Sequence, residues 1–434
     1  MMDVTNHVVE KALTLGATDV IARGTISRNQ QVRFSTNKID IAKTWNDNVI
    51  HVFLVYNKKV VFTEIRTFDT IDKSLETLVN LAKASKENPE YAGIAQGPFT
   101  YPKIKSDPRL KTLTDVTDFV LAAVNKALEK AETTAGALFL TNEDIFLSSS
   151  GGVEAQDERT SIELSIRAFS QKEASGHSTS CSPTLEGFEP EKAGEEAGEL
   201  SRLAKNPVQG NEGVFDIVFS PLFFGSVLCY SMDMASAFNV FAGRSMYVGK
   251  LGEPVASESV TIADTPSGLK QHRFDDEGVP MKENVVVEKG ILKTYLHNTS
   301  TAAKVQTETT GNAGLVVPKP LNIHVKPGNY HKDELFEEVD HGLYLTNTWY
   351  TRFQNMHTGD FSTIPRDAIL SIEKGEIAGS LKNIRVSDNL LNVYKSIEGV
   401  SKEQKLVHWW IEVEFPCISS HVLAKKVNIT RSTE

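Results

Sequence analysis

The spacing of apolar residues predicts both helices and strands in the first half of the chain. Between residues 3 and 15 apolar residues recur every three or four positions, which is typical of an amphipathic helix, and Gly16 ends it. From residue 19 to residue 65 apolar and polar residues alternate, as in strands separated by polar turns. Further elements are predicted as helices at 71–86, 114–132 and 189–205 and as strands at 137–149 and 161–169.

The pattern changes near NPVQGNEG (206–213), where we place a domain boundary. The boundary gives an N-terminal domain, residues 1–207, and a C-terminal domain, residues 208–434. Directly after it, VFDIVFS (214–220) predicts a buried strand. Ser220-Pro221 then supplies an N-cap and a first-turn proline for a helix of about eighteen residues.

Strand patterns dominate from residue 252 onward. Two predicted hairpins, at 285–296 and 370–381, share a Glu-Lys-Gly reversal whose glycine can adopt positive φ. The last strands are predicted at VHWWIEVEF (407–415) and VLAKKVNIT (422–430). Because helices and strands do not alternate strictly, we expect an α+β fold. It would combine an N-terminal α/β-sandwich-like domain with a C-terminal domain built on a large, curled, mostly antiparallel, barrel-like sheet.

Two polar segments of the N-terminal domain predict irregular structure. Residues 87–110 contain four prolines, which favours a long excursion or linker. GHSTSCS (176–182) is small and polar and predicts a flexible segment.

Composition and charge exclude several classes of function. The 434 residues include 46 basic and 56 acidic side chains, and the net charge of −10 argues against direct binding to nucleic acid. The three cysteines form neither a disulfide framework nor a CxxC metal knuckle, which fits a reducing compartment. No signal-peptide pattern and no apolar run of about eighteen residues is present. We therefore expect a cytoplasmic protein without membrane contact.

The segment FDDEG (274–278) places Asp275, Asp276 and Glu277 side by side. Crowding of carboxylates can raise the pKa of one of them into the range of a general acid, or can bind a hard cation. The alternative is a solvated turn in which the aspartate side chains hydrogen-bond their own backbone.

A second cluster, HTGDFS (357–362), combines His357, a hydroxyl and Asp360 within four residues. Such a loop could position a water molecule or a peptide carbonyl. Arg352, just before it, could pair with a carboxylate there or with a substrate terminus. The alternative is a structural turn at Gly359 with Asp360 as a cap.

The common catalytic motifs are missing from the sequence. No two histidines stand at i and i+4 with a glutamate between them, so the helical zinc signature is absent. The sequence has no GxSxG elbow, no phosphate-binding P-loop and no GxGxxG fingerprint. Nucleotide-dependent catalysis is therefore unsupported.

Several segments together resemble the TldD/PmbA family, which is linked to a metal-dependent cytoplasmic peptidase. The resemblance is specific after residue 210 and looser before it. The segments, in the family's order, are FDDEG, the hairpin at 285–296, TAAK (301–304), TGNA (310–313), HTGDFS and IEKGEIAG (372–379).

The resemblance also implies which kind of family member this is. One kind carries His-Glu-x-x-x-His on the helix after a buried strand, with a ligand cysteine much later; the PmbA kind, also called TldE, lacks this motif. Here the helix reads SPLFFGSVLCYSMDMASAF (220–238), and no histidine occurs between residues 178 and 271. Cys417 lies past the expected position of the ligand cysteine, which is closer to Ser401. The resemblance therefore implies a PmbA-type chain with no catalytic residue, metal ligand or cofactor of its own.

The expected partner is a TldD-like subunit that holds zinc and cleaves unfolded peptides, in a complex with this chain as a homo- or heterodimer. The present chain would bind peptide along a sheet edge. Two alternatives stay open. One is a self-sufficient metallohydrolase with ligands from His272, His357 and FDDEG, and the other is a non-enzymatic binding protein, for example a modulator of gyrase. The candidate peptide-cleft residues are Asp275, Asp276, Glu277, Arg352, His357 and Asp360.

Overall fold

The computed structural model describes residues 1–104, 106–409 and 412–432. Within these ranges the chain forms ten α-helices, one short 3-10 helix and eighteen strands. The helices are α1 (Met2–Thr14), α2 (Ile71–Ala84), α3 (Pro108–Thr112), α4 (Thr117–Leu128), α5 (Pro190–Leu203), α6 (Pro221–Met234), α7 (Ala237–Phe241), α8 (Thr299–Lys304), α9 (Lys332–Glu337) and α10 (Leu390–Lys395).

The strands up to residue 182 form one sheet, and the strands from residue 208 onward form another. Those of the first sheet are β1 (Asp19–Ser35), β2 (Lys38–Tyr56), β3 (Lys59–Ile65), β4 (Thr133–Ser149), β5 (Glu154–Gln171) and β6 (Ala174–Ser182). Those of the second sheet are β7 (Val208–Gln209), β8 (Gly213–Phe219), β9 (Ile262–Asp264), β10 (Asn284–Glu288), β11 (Ile291–Leu292), β12 (Ile323–Val325), β13 (His341–Asn355), β14 (Asp360–Glu373), β15 (Glu376–Lys382), β16 (Ile384–Asn389), β17 (Ile397–Trp409) and β18 (Val413–Arg431).

The first sheet has the order β3-β2-β1-β4-β5-β6, and all its neighbouring strands are antiparallel. Helices α1 and α2 pack on one end of it and α4 and α5 on the other, each through apolar side chains. α4 and α5 approach closely at Gly194, where an added Cβ would lie 2.1 Å from the carbonyl oxygen of Ala123. A glycine is required there because no larger residue leaves room for the neighbouring backbone.

The second sheet confirms the expected curled, mostly antiparallel architecture. Strands β18, β8, β13, β14 and β16 pair in a closed circuit, so the sheet curls back on itself. Only three of its strand pairs, β12–β18, β8–β13 and β7–β15, are parallel within the described residues. The boundary that we propose between residues 207 and 208 falls between α5 and β7, which already belongs to this sheet.

Helix α6 forms the centre of the largest apolar core. Every residue of α6 except Tyr230 and Asp233 is buried. Ser220 caps its first turn by accepting the N–H of Phe223 at 3.1 Å, as the sequence predicts, and donates to the carbonyl of Thr346 at 2.6 Å. A helix that is apolar on all sides in this way serves as core.

Both Glu-Lys-Gly reversals are tight hairpin turns, as predicted. Lys289 and Gly290 have φ of 44° and 79°, and Lys374 and Gly375 have φ of 51° and 83°. Two successive positive φ values are typical of a type I′ turn, whose twist matches that of the flanking strands.

Two expectations for strands and loops were wrong. Residues 407–415 do not form one strand, because β17 ends at Trp409 and reverses into β18, with Trp409 paired to Val413; residues 410 and 411 lie outside the described ranges. The segment 176–182 is not a flexible loop but most of β6, which is buried because α5 covers it and β17 packs against it.

The proline-containing segment after α2 packs across the face of the first sheet that the helices leave open. Its apolar residues, among them Tyr91, Ile94 and Phe99, form a core with Ile145 and with Phe274 from the C-terminal half. The segment is therefore part of the junction between the two sheets. No helix among the described residues is long and apolar enough to cross a membrane.

We predict that Ser220→Ala lowers the free energy of unfolding by about 1–2 kcal/mol, because it removes the cap of α6 and leaves the buried carbonyl of Thr346 without its hydroxyl donor. Thermal denaturation followed by circular dichroism measures the change. Thr77→Ala, on the exposed face of α2, is the control and should change stability by less than about 0.5 kcal/mol. Equal midpoints for both variants would contradict this account of α6.

Candidate functional site

The acidic turn FDDEG is buried, and Asp275 organises it. One carboxylate oxygen of Asp275 accepts the N–H groups of Glu277 and Val279, both at 2.9 Å, and the other accepts the N–H of Ala313 at 2.9 Å. Burial raises the pKa of Asp275 well above its ordinary value, and the nearby charge of Glu277 adds to the rise. The sequence offered the alternative of a solvated turn whose aspartates bond their own backbone. Asp275 does make such hydrogen bonds, but the turn is not solvated, because Asp275 and Glu277 are buried.

Asp276 connects the turn to both halves of the molecule. Its two carboxylate oxygens lie 3.3 Å from Nε of Arg23 in β1 and 3.4 Å from Nζ of Lys319. Burial alone would raise the pKa of Asp276, but the two cations outweigh it and hold the pKa below its ordinary value. Asp276 is therefore ionised and acts as the shared anion of an ion-pair network.

Glu277 differs from its two neighbours because it faces a cavity. Its Oε2 accepts the hydroxyl and the backbone N–H of Thr299, the latter at 3.2 Å. Burial raises the pKa of Glu277 to about 7, although the bonds from Thr299 oppose the rise. Glu277 consequently changes charge near neutral pH, as a general acid or a pH-dependent binding group does.

The turn must contain a glycine at position 278. Gly278 has φ of 81°, and an added Cβ would lie 2.5 Å from a methyl of Val153. Its carbonyl accepts the hydroxyl of Tyr101, from the proline-containing segment, at 2.9 Å. The turn is thus held between that segment and the C-terminal half.

The second predicted cluster, HTGDFS, lies at an exposed hairpin between β13 and β14. Asp360 accepts hydrogen bonds from Thr358 at 2.5 Å and Asn389 at 2.9 Å, which together lower its pKa. The ring of His357 is exposed. Gly359, with φ of 85°, makes the turn, so the structural alternative describes this loop well.

Arg352 does not pair with a carboxylate among the residues that the structure describes. Its guanidinium lies 3.9 Å from the ring centre of Tyr350 and donates to the carbonyl of Thr351 at 3.0 Å. No hydrogen bond or ion pair of the described residues joins this hairpin to the acidic turn. The structure therefore keeps the two predicted clusters as separate features.

Two neighbouring cavities lie beside the acidic turn, and we name them together the interdomain cleft. The first has a volume of about 380 Å³ and the second about 720 Å³. Both are lined by Glu90, Tyr91, Gly93 and Lys304, so they adjoin. Glu277 lines the first cavity, whereas Asp275 and Asp276 line neither.

Sequence reasoning missed most of the residues that form the cleft. Asn298 caps the N-terminus of α8, Lys304 ends that helix, and Phe238 and Phe241 belong to α7. The TAAK segment at the end of α8 was a signal for Lys304, since it is one of the segments of the family resemblance. Nothing in the sequence pattern pointed to α7, because its apolar residues continue those of the buried helix α6.

A further cavity of about 690 Å³ lies between α5 and β17. Its side chains include Glu196 and Lys405, which pair with each other and with the hydroxyl of Ser178. The carboxylate of Glu196 and the ammonium of Lys405 thus form an ion pair in which each charge has a partner. The interdomain cleft is our candidate site, because Glu277, a site residue predicted from the sequence, lines it.

Among the described residues, no group of three or more histidine, cysteine, aspartate or glutamate side chains is placed to hold a metal ion. His272 is buried, and burial lowers its pKa well below its ordinary value. The three cysteines are free and buried. A self-sufficient hydrolase would need both His272 and His357 as ligands. His272 lies at the junction between the two sheets, whereas His357 lies in the exposed hairpin.

We predict that Glu277→Gln stabilises the chain at pH 8 and has little effect near pH 4. The folded-state pKa of about 7 is higher than the ordinary value of 4.5, so ionisation of Glu277 favours unfolding. The free energy of unfolding of the wild type therefore falls as the pH rises from about 4.5 to about 7. The glutamine variant does not lose this stability, because its side chain does not ionise.

Urea denaturation of both proteins between pH 4 and pH 8 measures this difference. Glu76→Gln, on the exposed side of α2, is the control and should show no such pH-dependent gain. A difference that shrinks as the pH rises would contradict the assignment of Glu277.

Comparisons with known proteins agree with the fold and with the family resemblance. The family model described as PmbA/TldA metallopeptidase C-terminal domain matches residues 212–431, and that of the central domain matches residues 106–204. A TldE structure from Thermococcus kodakarensis superposes with a TM-score of 0.87, at 20% identity, over 98% of this chain and all of that one. This likeness shows the fold.

Relatives in sequence carry related descriptions. A protein described as a metalloprotease from Methanothermobacter thermautotrophicus is 31% identical over 63% of this chain and 63% of its own length. A metalloprotease PmbA homolog from Buchnera aphidicola is 27% identical over 47% of this chain and 44% of its own. The chain thus spans less than two thirds of the length of the curated relatives it matches. Since one domain model alone covers half of it, the chain belongs to the PmbA/TldD family of metallopeptidase-like proteins.

Proposed function

We propose that this chain is the subunit of a cytoplasmic PmbA/TldD-type peptidase that carries no metal and helps to bind unfolded peptides. The observation that carries the proposal is helix α6. It follows strand β8 directly. By the family resemblance, this is the helix on which the metal-bearing members carry His-Glu-x-x-x-His. In this chain the helix has neither histidine nor glutamate and is packed into the largest core.

The chemistry of α6 supports this role. Zinc in a catalytic site takes about three protein ligands, which are nitrogen, thiolate or carboxylate groups. Cys229, the thiol on α6, is buried and donates to the carbonyl of Phe415 at 3.3 Å, and burial raises its pKa to about 12. A thiol held in its protonated form is a poor metal ligand. Cys417 is also buried, and burial raises its pKa well above the ordinary value.

In the proposed complex the zinc belongs to a TldD-like partner, which would activate water for attack on the peptide bond. This chain would contribute the interdomain cleft, in which Glu277 faces the peptide. Asp275 and Asp276 would hold the turn that positions Glu277. Arg352, His357 and Asp360 remain candidates for contact with peptide or partner, because their hairpin is exposed.

We predict that the chain, expressed without a metal-binding tag, contains less than about a tenth of a zinc ion per molecule, because α6 lacks the ligand pair. Elemental analysis by mass spectrometry measures this content. Near-stoichiometric zinc would overturn the proposal in favour of a self-sufficient hydrolase.

The second half of the experiment adds a metal-bearing family member. Cleavage of an unfolded peptide should require both chains, stop when the partner's metal is chelated, and persist in the His357→Ala variant of this chain. The partner alone is the control. If this chain neither binds the partner nor changes its cleavage, the subunit role is wrong, and a stand-alone binding protein becomes the better description.

A further inference from the structure

One donor and one acceptor face the first cavity without a protein partner. Both hydrogen bonds to Glu277 end on Oε2, and no bond among the described residues reaches Oε1. The Oδ1 of Asn298 accepts the N–H and hydroxyl of Thr301, and no described group bonds its Nδ2. Asn298 and Glu277 both line the cavity and are 7% exposed. Neither atom is among the fully buried side-chain atoms that lack a partner, so both are open to the cavity, where a ligand can bond them.

The other walls of this cavity are mainly apolar. They come from the first sheet, from α7 and from residues 315–318, and include Ile21, Phe53 and Phe241. Lys304 also lines the cavity, but its ammonium pairs with Glu90 and lies 4.8 Å from the ring centre of Phe241. The charged groups at the mouth of the cavity are thus already paired, and its interior selects for apolar surface.

The size of the cavity limits the ligand. A volume of about 380 Å³ is near the lower end of the range of roughly 300–1,000 Å³ for ligand pockets. It admits a single large side chain with its backbone rather than a folded element. The adjoining second cavity, which Asp19 and Lys58 help to line, continues the path.

We propose that the first cavity is a subsite for one residue of an extended peptide. Oε1 of Glu277 accepts the N–H of its backbone, Nδ2 of Asn298 donates to its carbonyl, and its bulky aliphatic or aromatic side chain occupies the apolar walls. This subsite rests on the proposed peptide-binding function, because it specifies the kind of peptide residue that the chain would bind. An acidic side chain is disfavoured, because the groups it would meet are Glu277 and a lysine already paired with Glu90.

The test uses the full chain and two blocked tripeptides, acetyl-Ala-Leu-Ala-amide and acetyl-Ala-Asp-Ala-amide. Saturation-transfer NMR at pH 8, where Glu277 is ionised, gives the dissociation constants and shows which protons contact the protein. We expect the leucine methyl groups to receive the strongest transfer. We also expect the leucine peptide to bind at least tenfold more tightly than the aspartate peptide.

Three variants test the site itself. Ala242→Trp places a large ring at the exposed wall of the cavity and should abolish binding. Asn298→Asp keeps an acceptor for the cap of α8 and replaces the donor by a charged carboxylate oxygen, and Glu277→Gln keeps an acceptor for the bonds to Thr299 and replaces the free acceptor by a donor. Each should weaken binding about tenfold, which corresponds to about 1.4 kcal/mol for one hydrogen bond. Ala84→Trp, at the exposed end of α2 outside the cleft, is the matched control and should bind as the wild type does.

The outcomes separate the subsite from the proposed function. If Ala242→Trp binds the leucine peptide as tightly as the wild type does, the subsite is wrong and the subunit role stands. The same conclusion follows if the wild type binds the leucine and aspartate peptides with equal affinity. Failure of the wild type to bind the leucine peptide, with partner-dependent cleavage intact, also overturns the subsite alone. Loss of both peptide binding and partner-dependent cleavage in the wild type overturns the proposed function as well.

Discussion

The ion-pair network of Asp276 joins the two halves of this protein at one partly buried anion. A carboxylate taken out of water is costly unless cations and hydrogen bonds compensate it. Here Arg23 comes from the first sheet and Lys319 from the C-terminal half, so the compensation exists only when both halves are in place. The backbone N–H of Asp276 also bonds the carbonyl of Ala313 at 3.0 Å. The position of the acidic turn, and with it the cleft, depends on this network.

The same junction explains why three adjacent carboxylates behave differently. Asp275 is held by backbone N–H groups, Asp276 by cations, and Glu277 by a threonine at the edge of a cavity. Burial raises the pKa of the first and the last, while the cations lower that of Asp276. The three carboxylates therefore differ because their surroundings differ. Asp275 and Asp276 have structural roles, and Glu277 is available to a ligand.

Helix α6 contributes to the protein mainly through packing. Its surface is covered by apolar side chains of the curled sheet, so the helix contributes to the stability of the core. The exposed hairpin of His357 and the cleft of Glu277 are two features that are accessible to other molecules.

The sequence by itself determined the long helices α1, α2, α4 and α5, the cap of α6, the Glu-Lys-Gly turns and the curled second sheet, because periodicity and turn residues are local signals. It also identified the family through the order of its short segments. Only the tertiary structure decided that 176–182 is a buried strand, that 407–415 contains a reversal, and that Glu277 rather than Asp275 faces a cavity. These outcomes depend on partners distant in the chain, such as Arg23 and Thr299, and no local pattern specifies such partners.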